Sequence, residues 1–444
     1  MTVQISGWGR YPLVETELLI PHLPAEAISM AGAAEAWIAR GNGRAYGDAS
    51  IGSRQTLEAR ALNRIRAFNA TTGFVTVEAG LLLGELISVM LPRGFFPFVV
   101  PGTQYVTVGG ALASDVHGKN HHGEGGFGDH VDSFVLATPA TGPIRVSRTE
   151  HPELFAATVG GMGLTGLVLE VTLKLRRVET GWIRQQTYVA DNLSQALRAL
   201  EASNASTYSV AWIDCLAKGL HTGRSLIFVG EHASADEVAN GRQRQRFPLP
   251  SEKRLSVPFD LPGLALNSYS MRAFNELYFR AGSRKAAVPQ LVPLEPYFFP
   301  LDGLKNWNRI YGRNGFVQHQ CVIPEDQAET VLASLLDRIT AQGNASFLAV
   351  LKKLGAGSGL LSFPLPGYTL ALDFAVRPGL FAFLADLDRL IAEAGGRLYL
   401  AKDARQSRSM FEAGYGHLTQ FRSIKKSIDE TGRIRSHLSE RLGI

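Results

Sequence analysis

Glycine, histidine and lysine carry the chemistry suggested by this sequence. Residues 159–166 read VGGMGLTG and contain Gly161-Met162-Gly163-Leu164-Thr165-Gly166, the G-x-G-x-x-G spacing of a dinucleotide-binding turn. Residues 40–50 read RGNGRAYGDAS. There Gly41, Gly43 and Gly47 free the backbone to form a nest of N–H groups around phosphate oxygens, and Arg40 and Arg44 add positive charge. A surface turn is the plainer alternative. Residues 101–130 read PGTQYVTVGGALASDVHGKNHHGEGGFGDH. Thr103 and Thr107 lead there into Gly109-Gly110 and a run of small residues, against which a flat ring or a pyrophosphate can lie. Four histidines follow: His117, His121, His122 and His130. The first two have the i, i+4 spacing of a metal site. No carboxylate motif accompanies them, and glycines on both sides argue against a stiff helix. Loop histidines that contact a ligand are the better reading, and no metal is expected.

The elements around the first motif decide what it is. In a Rossmann unit a strand precedes the glycines and a helix follows. Here residues 151–160 read as a helix, and residues 164–178 alternate as a strand, with Leu167, Leu169, Val171, Leu173 and Leu175 on one face. The order is reversed, so the fingerprint is not a Rossmann turn. A helix closed by glycine before a strand accounts for it as well. Three zones follow along the chain: 1–180 with the glycine clusters, 181–396 with alternating strands and amphipathic helices, and 397–444. The last begins with a strand at RLYLAKD and continues as polar helical sequence. The pattern predicts an α+β fold with antiparallel layers rather than a doubly wound sheet. Residues 240–263 predict a long mobile loop.

Composition narrows the function classes. The chain has 444 residues and a net charge of +5, enough to favour an anionic ligand but without a Lys/Arg block or a nucleic-acid module. Cys215 and Cys321 lie in apolar strand-like runs and predict buried thiols. The N-terminus lacks the pattern of a secretory signal. No apolar run is long enough to span a membrane.

Taken together, RGNGRAYGD, PGTQYVTVGGALASDVHGKNHH, FAATVGGMGLTG and GGRLYLAKDAR resemble the vanillyl-alcohol-oxidase and para-cresol-methylhydroxylase type of FAD flavoprotein. The resemblance extends over nearly the whole chain. It implies a two-domain, non-Rossmann FAD fold, with an FAD-binding domain at 1–180, a substrate domain at 181–396 and a C-terminal segment at 397–444 that returns to the first. The closer resemblance is to members that oxidise the 2′-hydroxyl of a polyprenylphosphoryl-β-D-ribose to the 2′-keto sugar, the first half of an epimerisation to an arabinose donor.

By that resemblance the cofactor lies against Arg40, Gly41, Asn42, Gly43, Arg44, Ala45, Tyr46, Gly47 and Asp48. It also lies against Gly102, Thr103, Thr107, Val108, Gly109, Gly110, Ser114, Asp115, Val116, His117 and Gly118, with Gly163, Val168 and Tyr399 completing the set. Many relatives tether FAD through a histidine at the position of Arg44, so FAD is expected to be non-covalent here. Lys402 matches the family's catalytic lysine. Tyr46, His117, Trp212, Gln318, Gln320, Lys352 and Lys402 match substrate-pocket positions. Gln318 and Gln320 also share a strand face by the period of two. Where close relatives carry a cysteine and an asparagine, this chain has Ala371 and Thr369. A soluble sugar-alcohol or aldonolactone oxidase, or a non-catalytic flavin-binding subunit, remain as alternatives. The implied partners are the polyprenylphosphoryl pentose and an NAD(P)H-dependent keto-reductase. The expected location is cytoplasmic or peripheral at the inner membrane, with Arg242, Arg244, Arg246, Lys253 and Arg254 beside Phe247, Leu249 and Leu255 as the membrane contact.

Overall fold

The computed structural model describes residues 1–240, 245–248, 255–262, 267–286, 288–343, 346 and 348–444. Among them, three sheets and the helices between them form an α+β fold. The first sheet has the order Thr2–Ile5, Val14–Leu19, Gln55–Glu58, Trp37–Arg40. Its last two pairings are parallel. The strand Trp37–Arg40 runs straight into the glycine loop at 41–47, so the sheet sets where that loop begins.

The second sheet is antiparallel and centres on Leu167–Arg177, which pairs with Phe74–Glu78 on one side and Val131–Thr138 on the other. The alternation expected of 164–178 is present: Leu167, Leu169, Val171, Leu173 and Leu175 are buried while Lys174 is exposed. The helix Pro152–Thr158 precedes the glycines and the strand follows them, the reverse of a Rossmann unit.

The third sheet, eight-stranded among the described residues, has the order Gln290–Pro293, Trp182–Ala190, Ser225–His232, Tyr208–Ile213, Ala349–Leu354, Gly367–Ala375, Phe316–Pro324, Arg397–Leu398. Successive residues point to opposite faces. One face presents Ala211, Ile213, Val317, Cys321, Ile323, Leu351, Leu370 and Leu372 to the helices Leu193–Ala202, Ala328–Gln342 and Leu380–Glu393. Each fully buried aliphatic side chain there contributes about 1.5–3 kcal/mol. The other face carries Trp212, Gln318, Gln320, Lys352, Thr369 and Ala371, and faces a cavity. Both cysteines are buried and unpaired.

The C-terminal helices Arg408–Gly414, Leu418–Ile428 and His437–Leu442 bury Phe411, Phe421, Leu438 and Leu442 against Trp37, Ile38, Leu57, Leu164 and Leu167. Trp37 is clamped by backbone bonds, its N–H donating to Arg433 at 2.7 Å and its carbonyl accepting from Arg435 at 2.8 Å.

Two expectations need correction. The strand expected at 397–403 is only Arg397–Leu398. Beyond it the chain turns, with the Lys402 N–H donating to the Tyr399 carbonyl at 2.9 Å. Within 240–263, the described residues 245–248 are held in place rather than free. The Gly181 N–H donates to the Arg246 carbonyl at 2.8 Å, and Trp182 Nε1 donates to Gln245 at 2.9 Å. Of the expected membrane-contact residues, Arg242, Arg244, Leu249, Lys253 and Arg254 lie outside the described residues. A helix at Ser268–Lys285, capped by Asn267, was not expected from the sequence. Tyr269 and Leu277 on it are exposed, so its apolar periodicity does not mark its buried side.

Candidate active site

A cavity of about 510 Å³ lies between the glycine segments and the open face of the eight-stranded sheet. From the first segment it is lined by Arg40, Gly41, Asn42, Gly43, Arg44, Ala45 and Tyr46. From the second come Gly102, Thr103, Thr107, Gly109, Gly110, Ser114, Val116, His117 and Gly118. Gly163, Val168, Tyr399 and Lys402 line it too, as do Trp212, Gln318, Gln320 and Lys352 from the sheet. Residues as distant in sequence as Arg40 and Lys402 thus meet in one space.

Four expected contacts do not line it: Gly47, Asp48, Val108 and Asp115. They stand behind the wall. A Cβ on Gly47 would lie 1.9 Å from the Asp403 carbonyl oxygen, so glycine lets the loop seat on the C-terminal segment. The Asp48 carboxylate binds Arg441 through both oxygens, at 2.9 and 3.1 Å. Val108 is core. Asp115, held at φ 39°, accepts from the Gly128 N–H at 3.0 Å and from the Ser362 hydroxyl at 2.5 Å.

The glycine-lined end suits a dinucleotide. A Cβ on Gly41 would lie 2.2 Å from Thr107 Oγ1, so only glycine lets the two segments converge. Asn42 ties them together by donating to the Tyr105 carbonyl at 2.8 Å. Arg44 stacks over Trp8 with its guanidinium carbon 3.9 Å from the ring centroid. Arg40 donates to the Ser6 carbonyl at 2.8 Å. Burial lowers the pKa of both arginines, but their guanidinium groups stay charged.

The opposite end is a cluster of titrating groups. Lys352 Nζ is 3.0 Å from His117 Nδ1, and the Gln320 amide is 2.9 Å from His117 Nε2. Burial first, and Lys352 second, push the His117 pKa well below its usual value, so the ring is neutral. An amide nitrogen only donates, so His117 Nε2 accepts from Gln320 Nε2, which also donates to Thr369 Oγ1 at 3.2 Å, and the other ring nitrogen, Nδ1, faces Lys352 Nζ. Burial, then Lys119 and Lys402, lower Lys352 to about 7. Lys402 Nζ sits 3.7 Å from the centroid of the Tyr46 ring. Its pKa falls through burial and is partly restored by Asp373. Asp373 is fully buried; burial raises its pKa, opposed by the Gln318 amide donating at 2.6 Å and then by Lys402. Tyr399 donates through its hydroxyl to the Ser114 carbonyl at 2.9 Å and stacks on Phe363.

His121 packs edge-on against His117, with ring centroids 6.3 Å apart, while its Nδ1 accepts from the Gly355 N–H at 3.0 Å. The other two histidines do not join this cluster: His122 bonds to the Ser206 carbonyl at 3.0 Å, and His130 stacks on Phe98.

Sequence reasoning passed over Trp8, Lys119 and Asp373. Asp373 had a signal. A carboxylate in the middle of the otherwise apolar strand GYTLALDFA marks a buried charge that needs partners. Lys119 had a weaker one, a basic residue directly after the His117-Gly118 turn. Nothing in the sequence marks Trp8, which reaches the site because its N–H donates to the Ala45 carbonyl at 2.8 Å.

Residues 25–147 match the FAD binding domain family. Decaprenylphosphoryl-beta-D-ribose oxidase of Mycolicibacterium smegmatis is 37% identical, over 99% of this chain and 97% of its own length. An uncharacterized protein in the mprA 5′ region of Streptomyces coelicolor is 36% identical, over 82% of this chain and 100% of its own. Mitochondrial L-galactono-1,4-lactone dehydrogenase 1 of Oryza sativa subsp. japonica is 27% identical over 42% of this chain and 32% of its own.

Proposed function

Because the chain belongs to the decaprenylphosphoryl-β-D-ribose oxidase family, we propose that it oxidises the 2′-hydroxyl of a polyprenylphosphoryl-β-D-ribose to the 2′-keto sugar. It is an FAD-dependent oxidoreductase acting on a CH–OH group. The observation that carries the proposal is one cavity joining the glycine segments to Lys402, His117, Lys352 and the two glutamine amides. We place the FAD domain at 1–180, the substrate domain at 181–396 and a returning segment at 397–444, in the two-domain layout of vanillyl-alcohol oxidase. The two sheets that end by Arg177, and the third that begins at Trp182, support that division.

When bound, FAD supplies the two-electron acceptor for the hydride of the alcohol carbon. The residues of the chain must hold the sugar and move the hydroxyl proton. Arg40, Arg44 and the glycine segments are proposed to hold the cofactor's pyrophosphate. Gln318 and Gln320, on one strand face, offer amides to sugar hydroxyls. Lys402 in its amine form accepts the 2′-hydroxyl proton. The ammonium so formed, over Tyr46 and near buried Asp373, offsets negative charge beside the reacting carbon. A pKa lowered by burial suits this role, since the free amine is then present near neutral pH.

Arg44 stands where a tethering histidine would be, so FAD is proposed to be non-covalent: acid precipitation releases it into the supernatant, whereas flavin left on the polypeptide contradicts this. An NAD(P)H-dependent reductase that consumes the keto sugar, and contact with a membrane surface, are proposed from the lipid nature of the substrate. Among the described residues, no helix is long and apolar enough to cross a membrane. The testing experiment is anaerobic mixing with polyprenylphosphoryl ribose: bleaching of the flavin band supports the proposal, and bleaching by aldonolactones alone overturns it.

A further inference from the structure

Lys119 is a cavity cation that the proton chemistry leaves unused. Its Nζ reaches the Phe298 carbonyl oxygen at 3.3 Å and lies 5.4 and 5.7 Å from the ring centroids of Tyr297 and Phe298. Among the described residues no carboxylate forms an ion pair with it, and burial alone lowers its pKa, to about 8. An ammonium enclosed by a carbonyl and two aromatic rings, with no anion, is an unfavourable arrangement in a protein interior. It becomes favourable when an anionic ligand enters.

The surroundings say which anion. The glycine segments and the two arginines proposed to hold a pyrophosphate are on the strand Trp37–Arg40 and its loop, and on residues 101–110. Lys119 is carried instead on the sheet side, where its carbonyl accepts from the Ser209 N–H at 2.9 Å beside the strand Tyr208–Ile213. That strand continues the cavity wall with Val210 and Trp212, joined by Phe228 and Tyr278. Trp212 and Tyr278 pack against each other with ring planes tilted by 52° and centroids 4.9 Å apart, and Tyr278 is partly open to solvent. Lys352, whose pKa Lys119 helps to depress, stands close by as a second amine that an entering anion favours in its charged form. One side of the cavity therefore places two lysines at the foot of an aromatic wall leading outwards. This matches an amphiphile whose anionic head adjoins an apolar chain.

We propose that Lys119 holds the phosphodiester of the lipid substrate, with the first prenyl units against Trp212, Phe228 and Tyr278. Lys119 then determines substrate class: it selects phosphorylated glycolipids over neutral sugars and lactones. The inference rests on the function proposed above, but its anion site can be tested separately from turnover.

The test uses the FAD-loaded protein and calorimetric titration with two probes, farnesyl phosphate and farnesol. A hydrogen bond to a charged group corresponds to a factor of roughly 10–100 in affinity. The wild type is expected to prefer the phosphate by about that factor. Lys119→Met should abolish the preference, Lys119→Arg should keep most of it, and FAD affinity should be unchanged in both. With polyprenylphosphoryl ribose, Lys119→Met should raise KM and leave kcat nearly unaltered. Lys119→Gln gives a second neutral variant if the methionine protein fails to fold. A neutral variant that still prefers the phosphate overturns the proposal, as does a wild type with no preference. Loss of FAD affinity in place of phosphate affinity reassigns Lys119 to the cofactor and also overturns it. If the wild type turns over no polyprenylphosphoryl pentose yet shows the Lys119-dependent preference, the proposed function falls and the anion site stands.

Discussion

Replacing Lys402 separates the two jobs assigned to it. Lys402→Met removes both the amine that accepts the proton and the ammonium that results. Loss of a positioned general base costs about 10²–10⁴ in rate, and loss of one electrostatic stabiliser about 10²–10³. The two act through one atom, so the effects are not multiplied, and the expected loss is about 10³, or roughly 4 kcal/mol at 1.36 kcal/mol per decade. Lys402→Arg keeps a cation over Tyr46 but cannot release a proton in this range. It is therefore expected to be nearly as slow as the methionine variant. The variants should fold and keep FAD. Asp373, left without its cation, stays protonated through burial, and Gln318 and Tyr311 still contact it. The assay is anaerobic stopped-flow reduction of the bound flavin by substrate, with flavin content measured in parallel. In the wild type the rate should rise with pH through the lowered pKa of Lys402, and in both variants that rise should disappear. A methionine variant within about threefold of wild type would refute the role of Lys402 in the reaction. A fast arginine variant would refute proton acceptance and leave charge alone.

Three more predictions follow from the same geometry. Lys352 has a folded pKa of about 7 against an unfolded value of about 10.4, so below pH ~7 its buried ammonium costs stability that is recovered as pH rises towards ~10; in thermal melts without substrate, Lys352→Met should gain most relative to wild type below pH ~7 and nothing by pH ~10.5, and a pH-independent difference would contradict this. Gly47→Ala places a methyl 1.9 Å from the Asp403 carbonyl and should destabilise by about 1–3 kcal/mol in denaturant titrations, while Gly416→Ala, with nothing within 4 Å, should be near neutral; equal effects would count against the packing argument. Burial pushes the thiols of Cys215 and Cys321 up to about 12, so a cavity-directed thiol reagent should leave the native protein unlabelled by mass spectrometry and label Ala371→Cys at the cavity wall.

The local signals in the sequence were strong where burial is one-sided. The alternation in 164–178 and the shared face of Gln318 and Gln320 both follow from the period of two, and both appear in the structure. The reversed order of helix and strand around Gly161–Gly166 excludes a Rossmann turn from the sequence itself. Lys402 shows the limit of periodicity. The run RLYLAKD has strand composition, but a 2.9 Å turn bond from the Lys402 N–H to the Tyr399 carbonyl takes the lysine off the sheet and brings it over Tyr46. Single-residue roles within the glycine loops were less legible. Gly41 lets two segments converge beside the cavity, whereas Gly47, six residues later, serves only to seat the loop on Asp403. Spacing cannot tell these apart, because the obstructing atoms come from Thr107 and Asp403, distant in sequence. Lys119 and Asp373 were hidden for the same reason: their meaning lies in which partners the fold supplies or withholds. The helix Ser268–Lys285 leaves Tyr269 and Leu277 exposed and buries Asn275 against Asp214 at 2.6 Å, so its pattern inverts the usual rule.

In the proposed function one cavity pairs a bound flavin with a proton-accepting lysine to oxidise a phosphorylated lipid sugar. Its most direct measurement is the flavin spectrum of the purified protein under anaerobic conditions, before and after stoichiometric polyprenylphosphoryl-β-D-ribose, with the product analysed by mass spectrometry. The expected result is loss of the oxidised flavin band, a product two mass units lighter, and no bleaching by L-galactono-1,4-lactone or free ribose. An unchanged flavin band with the lipid sugar, or equal bleaching by the lactone, would contradict it.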